Sequence, residues 1–396
     1  MKRILCAVLV FLLVIATSAI TLPVAAAGTG TDLYVKAGGT GDGSSEAKAF
    51  GTLQDAVTKA ATLSGDVTIH VVGTVDFDLG GVNSYVMPEH TGNLTITGDG
   101  SGKINDVNSV AHFWVLGGPT VFEKIAISTT PAIYFITDLY DFTVGEGVTT
   151  EGGMGIYGTA GNESRHLDGT TYTGTHSITV LSGYFTDLAI CRQNNKGNKV
   201  NGSITLTVGG KASIDVVSTI RGQFFECDTS TIILDGGQVN RFVANADRPG
   251  VSASNFGGAK TFKLVITKNF DVSKSFTGAQ PYLGIYGVSA GENSAAPGDI
   301  PGLSATLEIA EEVYDAVIGS GMVHQDSFTK VTKTTTQAPG SSSQTQPTTP
   351  DETTGTGSTE PVKPSNPSSA DFISTVVLVS AAALATGLVI AKKKKG

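Results

Sequence analysis

Seven charged residues near the middle of the chain have spacings that suit recognition of an acidic sugar. Arg221 and Arg248 are 27 residues apart, and Asp187 and Arg241 are separated by twice that interval. Asp247 adjoins the second arginine, and Glu226 and Asp228 flank Cys227. If the chain returns on itself once per 27 residues, Asp187, Ile214 and Arg241 fall at one offset. Arg221 and Arg248 fall at another. Two guanidinium groups on one surface can clamp a carboxylated sugar through charge-assisted hydrogen bonds. The same groups can supply a base and a charge stabiliser for β-elimination. A ladder of surface ion pairs is the third reading, and such pairs contribute little. Tyr157, Tyr172 and Tyr184 lie near a polar segment at 158–175. They read either as exposed rings that stack on a sugar or as ordinary core and turn residues.

A fixed interval requires an element that repeats. The runs 178–183, 204–210 and 232–237 are short β-rich stretches closed by Gly183, Gly210 and Gly237, which are 27 apart in both steps. A period of this size marks a solenoid. Because each unit is β, the expected architecture is a coil of parallel strands, three short strands per turn. Inward positions stack Val, Ile, Leu and Phe, and outward positions are free to vary. Further β-runs, among them 67–72, 94–97, 121–127, 133–136, 142–144 and 262–266, are bounded by Gly, Asp, Asn or Thr, as strands between turns should be. Segments 158–175 and 289–302 read as insertions that loop out of the coil. Near the start, Thr52 can cap a helix whose Leu53, Ala56, Val57 and Ala60 form an apolar stripe. Residues 310–317 suggest a second short capping helix.

The entry segment resembles that of the pectate-lyase-like superfamily of right-handed β-helix proteins. Tyr34, Val35, Phe50, Thr52, Leu53 and Ala56 carry the match, around the Gly-rich loop 38–43. The resemblance implies a single right-handed parallel β-helix whose N-terminal helix covers the open end of the coil, where unpaired strand edges invite aggregation. It also implies two enzymatic options. One is a lyase with a calcium cluster of aspartates and an arginine base; the other is a glycosidase with clustered aspartates near His, Arg and Lys. Asp76 with Asp78, alternating on one strand, and Asp138 with Asp141 read as solvated surface carboxylates. Arg248-Pro249 is a fragment of the lyase pattern without its second arginine. No cofactor is expected, and calcium is the one ion the resemblance admits.

Composition narrows the choices. Glycine is abundant at 50 of 396 residues, which suits many tight turns between short strands. The net charge of −9 argues against a nucleic-acid partner. The phosphate-loop signature Gly-x-x-x-x-Gly-Lys-Ser/Thr is missing from the sequence. The Gly-rich stretch 38–43 has no basic partner and reads as a loop. His166 and His176 are a weak metal-ligand pair. Cys191 and Cys227 either pair in an oxidising exterior or stand as two buried thiols.

The ends of the chain give the expected location. Residues 1–27 read as a signal peptide: Lys2 and Arg3, an apolar core, then Ala25 to Ala27. Residues 28–330 form the ectodomain. Residues 331–371, rich in Thr, Ser, Pro, Gly and Gln, read as a disordered stalk. Residues 372–391 are uncharged and long enough to span a bilayer, and the lysines of 392–396 favour the cytoplasmic side. Asn366, Pro367, Ser368, Ser369, Ala370 and Asp371 resemble the sorting signals of Gram-positive surface proteins, with Ser369 in place of Thr and Ala370 in place of Gly. Membrane anchoring and cell-wall attachment both remain open.

These readings combine into an all-β, surface-tethered β-solenoid. Its expected function is adhesin-like or glycan-binding without catalysis, toward an extracellular polysaccharide or a glycoprotein of a host or neighbouring surface. The alternative is a tethered lyase or glycosidase acting on acidic polysaccharide. A third reading is a structural spacer. The candidate binding residues are Asp187, Arg221, Arg241, Asp247, Arg248, Tyr172 and Tyr184.

Overall fold

The structure, a computed structural model, describes residues 30–159, 171–192, 199–221, 226–243, 258–277, 284–287, 289–290, 293–294 and 304–335. The expected signal peptide, most of the stalk, the sorting-like signal and the membrane span lie outside the described residues. Among the described residues no helix is long and apolar enough to cross a membrane.

Twenty strands join in one sheet whose pairings are parallel. The cause is visible in single strands. Val67–Val72 alternates buried and half-buried positions, so one side faces a core and the other faces out. Each strand then pairs with the strand one coil later in the chain. Three faces result. On the first, Leu33, Ile69, Ile96, Phe122, Val144 and Val180 form one inward column, continued by Val208, Leu234, Ile266 and Ile309. On the second, Val75, Ile104 and Ile127 stack, and later Phe185, Ile214 and Val239. On the third, Tyr85, Trp114, Phe135, Ile156, Leu188, Val217, Phe242 and Ile285 follow one another.

The core between the faces is aromatic in its early coils. Trp114 lies 4.2 Å from Phe77 and 5.5 Å from Phe135, and Phe135 lies 5.6 Å from Phe122 (ring centroids). Offset and edge-on pairs at such distances add to the burial of their area. A buried polar corner sits beside them. Asp106 accepts from Asn108 Nδ2 at 2.6 Å and from the Thr129 hydroxyl. Trp114 Nε1 donates to His112 Nε2 at 3.2 Å, so that nitrogen carries no proton and His112 is the neutral Nδ1–H tautomer. The 3.7 Å approach of His112 to Asp106 is therefore not an ion pair.

Helix α1 (Leu53–Ala61) forms where expected. Thr52 Oγ1 accepts from Asp55 N at 3.1 Å, and Leu53, Ala56, Val57 and Ala60 are buried against the first coil. The loop 38–43 closes beside it through Gly41 N to Ala49 O at 3.0 Å and Gly43 N to Lys48 O at 2.7 Å. A Cβ on Gly41 would lie 2.1 Å from Lys48 O, so this approach needs glycine. Helix α2 (Glu311–Gly319) matches the second expected helix and buries Val317.

The expected insertion at 158–175 is shorter than its limits. Strand Thr149–Thr159 runs into it and strand Thr171–Val180 emerges from it, and Thr171 to Thr175 pair in register with 199–203, which extends the first face. In 289–302, Ser289–Ala290 and Asn293–Ser294 pair as a small antiparallel ribbon.

Candidate ligand-binding face

Asp187 and Arg241 share one register position on the outward side of the third face. The residue between them is Val216, not Ile214. Ile214 belongs two positions earlier, in the inward column of Phe185 and Val239. The reason is local. Val180 pairs with Val208, a step of 28, and the strand Lys199–Arg221 then takes an extra residue between Gly210 and Ser213. Such a bulge shifts every later residue on that strand. The next step is shorter by as much, so the two-coil interval is preserved while the middle residue changes.

The surroundings of Asp187 are aromatic. Its side chain is 7% exposed, and Oδ2 accepts from the Tyr157 hydroxyl at 3.0 Å. The Tyr157 ring lies over Gly155, where a Cβ would stand 3.0 Å from the ring edge. Tyr134 follows at 6.0 Å from Tyr157, and Phe113 at 5.6 Å from Tyr134. Phe113 and Tyr134 are half-buried. Sequence reasoning missed both, although alternation within 110–116 and 133–136 places them outward between inward neighbours. Tyr157 is 1% exposed and belongs to a small cluster with Val115, Ile136 and Ala189. It is a support for Asp187, not an exposed ring. Arg241 is half-buried, and its charge opposes the effect of burial on the Tyr286 phenol, whose pKa still rises.

Tyr184 opens the strand Tyr184–Arg192, on the outward side of the second face and three residues before Asp187. It is 40% exposed. Its hydroxyl donates to Asp215, and Asp215 also accepts from Asn240 Nδ2 at 3.0 Å. Asn240 is held in turn by the Thr277 amide at 3.1 Å. Burial, together with the Asp215 carboxylate, pushes the Tyr184 phenol up to about 12. The backbone amide of Tyr184 donates to Thr150 Oγ1 at 2.7 Å, and that hydroxyl donates to the Tyr184 carbonyl. The ring is thus held at both ends.

Other expected residues fall elsewhere. Tyr172 is 8% exposed on the first face, with its hydroxyl directed to Asp138 Oδ1 at 3.3 Å, so it offers no stacking surface. Asp138 is itself buried, contrary to its reading as a surface carboxylate, because the turn after Ile136 folds it inward. Asp76 and Asp78 do not alternate on one strand. The strand Thr74–Phe77 ends first, and Asp78 caps a turn through Gly80 N at 2.8 Å. Asp141 accepts from both the amide and the hydroxyl of Ser177 at 2.8 Å. Arg221 pairs in backbone register with Arg192, and its side chain lies outside the described residues. Asp247, Arg248 and His166 also lie outside them. Cys227 is a free, buried thiol on the first face, whereas Cys191 is on the third. Among the described residues no group of three or more His, Cys, Asp or Glu is placed to hold a metal ion.

One further cluster escaped the sequence. His70 Nδ1 is 2.9 Å from Asp99 and Nε2 is 3.1 Å from Asp32, while Tyr34 stacks on the ring at 4.8 Å. The coil register brings these residues together from well-separated positions.

The edge formed by Tyr184, Asp215, Asn240, Asp187 and Arg241 offers an exposed ring beside fixed donors and acceptors. That is equipment for holding a polar ligand with flat apolar faces. Comparison with protein families, with curated proteins and with solved structures finds no match to the chain.

Proposed function

We propose that this protein is a right-handed parallel β-helix of the pectate-lyase-like kind that binds an extracellular glycan along the edge between its second and third faces, without turning it over. The observation that carries this reading is Tyr184, an exposed ring whose hydroxyl is fixed by Asp215, beside the Asp187–Arg241 column. A pyranose presents an apolar C–H face to such a ring and hydroxyls to the neighbouring carboxylates. A uronate would meet Arg241. Holding the ring in advance reduces the entropy lost on binding. The signal-like start, Thr/Ser/Pro-rich stalk, apolar span and basic tail support a tethered, outward-facing role, adhesin-like in kind.

The test is calorimetric titration of the full chain with uronic-acid and neutral polysaccharides, with and without calcium, with product analysis of the same mixtures. Saturable binding without product supports the reading. Unsaturated or reducing-end products would replace it with a lyase or glycosidase, and silence across all glycans would remove it.

A further inference from the structure

The outward side of the first face carries a second regular surface, on a different face from the glycan edge. Thr175, Ser203, Thr229, Thr261 and Ser304 follow one another in a single row, one per coil. Two residues further along the strands, Ser177, Thr205 and Thr231 form the next row. Two further still, Thr143, Thr179 and Thr207 form a third. The pairing is continuous from Ser203 to Gly210, between the two irregularities of that strand, so the rows stay aligned where they are densest. Ten of the eleven side chains are half-buried or exposed; Thr207 is shielded within its column. None of the eleven is charged, although Lys263 continues the second row after Thr231 and the Asp228–Lys260 pair, 3.3 Å apart, adjoins Thr229 and Thr261. The grid is bounded by Asp141 on one side and by the Lys263–Glu308 pair, 2.8 Å apart, on the other.

The spacing of such a grid follows from the backbone. Neighbouring parallel strands lie about 4.8 Å apart, and alternate residues along a strand about 6.6 Å. Threonine adds stiffness: branching at Cβ restricts χ1, which limits the directions its hydroxyl and methyl can take. Each hydroxyl both donates and accepts. Water over this surface is therefore offered hydrogen bonds at the repeat of the coil, with threonine methyl groups between them, while Ser177 and Ser203 spend their own protons on Asp141 and Thr175.

We propose that this hydroxyl grid binds ice. Its occupant is the ordered oxygen array of a crystal surface, which meets the grid through waters held at the repeat of the coil. A flexible solute does not need such regularity, whereas a crystal does. This inference is independent of the glycan reading, because the two surfaces use different faces.

The experiment is nanolitre osmometry of the full chain, measuring the gap between melting and freezing temperatures and the shape of a growing ice crystal. Thr205→Tyr and Thr231→Tyr place a ring on the grid; Thr74→Tyr, on the exposed outward side of the second face, is the control. Circular dichroism verifies folding, and Thr205→Val, which keeps the shape but removes the hydroxyl, replaces any variant that fails to fold. The expected result is a freezing gap and faceted crystals for the wild type and Thr74→Tyr, lost in the grid variants. No gap in the wild type overturns the proposal, as does a gap unchanged by Thr205→Tyr and Thr231→Tyr. A monomer–dimer equilibrium in sedimentation that Thr205→Tyr abolishes, without any freezing gap, would assign the grid to a second copy of the chain instead.

Discussion

Asp187 and Arg241 stand at one register position two coils apart, with Val216 between them. Strands are spaced by about 4.8 Å, so the two positions are roughly 10 Å apart along the stack. A sugar ring over Val216 could present hydroxyls to Asp187 and a carboxylate to Arg241, with Tyr184 at the adjoining edge.

Binding should therefore depend on the ring and the guanidinium in different ways. Tyr184→Ala should weaken glycan affinity by about 1–2 kcal/mol, as expected for a central aromatic contact. Tyr184→Phe should lose less, because it keeps the ring and gives up only the hold of Asp215. Arg241→Ala should reduce binding of uronic-acid polymers and spare neutral ones. Calorimetry on the three variants checks this ordering; equal loss for both polymer classes in Arg241→Ala would remove its proposed role.

Stability near the start of the coil should fall as pH rises. Burial disfavours a charged His70 ring, but the hydrogen bonds to Asp99 and Asp32 outweigh it and raise the pKa above the ordinary 6.5. A raised folded-state pKa means the imidazolium is held more tightly in the native state. Its contribution is complete below 6.5 and disappears as pH rises through the folded value. Unfolding midpoints followed across this window should show the decline in the wild type and a flatter profile in His70→Gln. An NMR titration giving His70 a pKa below 6.5 would contradict it.

The polar corner should be costly to break. Asp106→Ala leaves Asn108 Nδ2 and the Thr129 hydroxyl, both buried, without their carboxylate partner. The expected loss is about 1–3 kcal/mol for each donor left unsatisfied. Urea unfolding measures it, and a loss within experimental error would mean that water replaces the carboxylate.

Gly210 should resist substitution. Its φ is +53°, and a Cβ would lie 2.4 Å from the Leu181 carbonyl. Gly210→Val should destabilise by about 1–3 kcal/mol through strain at this left-handed position. The same urea measurement applies.

Cys227 should be chemically silent while the coil is folded. Burial pushes its thiol up to about 12, so almost no thiolate exists at neutral pH. Iodoacetamide labelling with peptide mapping should leave Cys227 unmodified in the native protein and modify it in denaturant. Native labelling would show that this part of the first face opens.

The amino-acid sequence by itself determined the coil. Glycine-closed β-runs at a steady interval, strict alternation in Val67–Val72 and the Thr52 cap before an apolar stripe are local signals, and each formed the expected element. What only the tertiary structure decided was alignment between coils. An average step of 27 conceals steps of 28 and 26 on the first face and 29 and 25 on the second, because one bulged residue is invisible in a count of glycines. That residue put Val216 where Ile214 was expected. Burial of Tyr157 and Tyr172 was likewise undecidable locally, since each depends on an aspartate of the neighbouring coil, 30 and 34 residues away along the chain. The His70 cluster and the hydroxyl grid exist only through stacking, which brings residues far apart in sequence but on neighbouring coils within one hydrogen bond or one strand spacing.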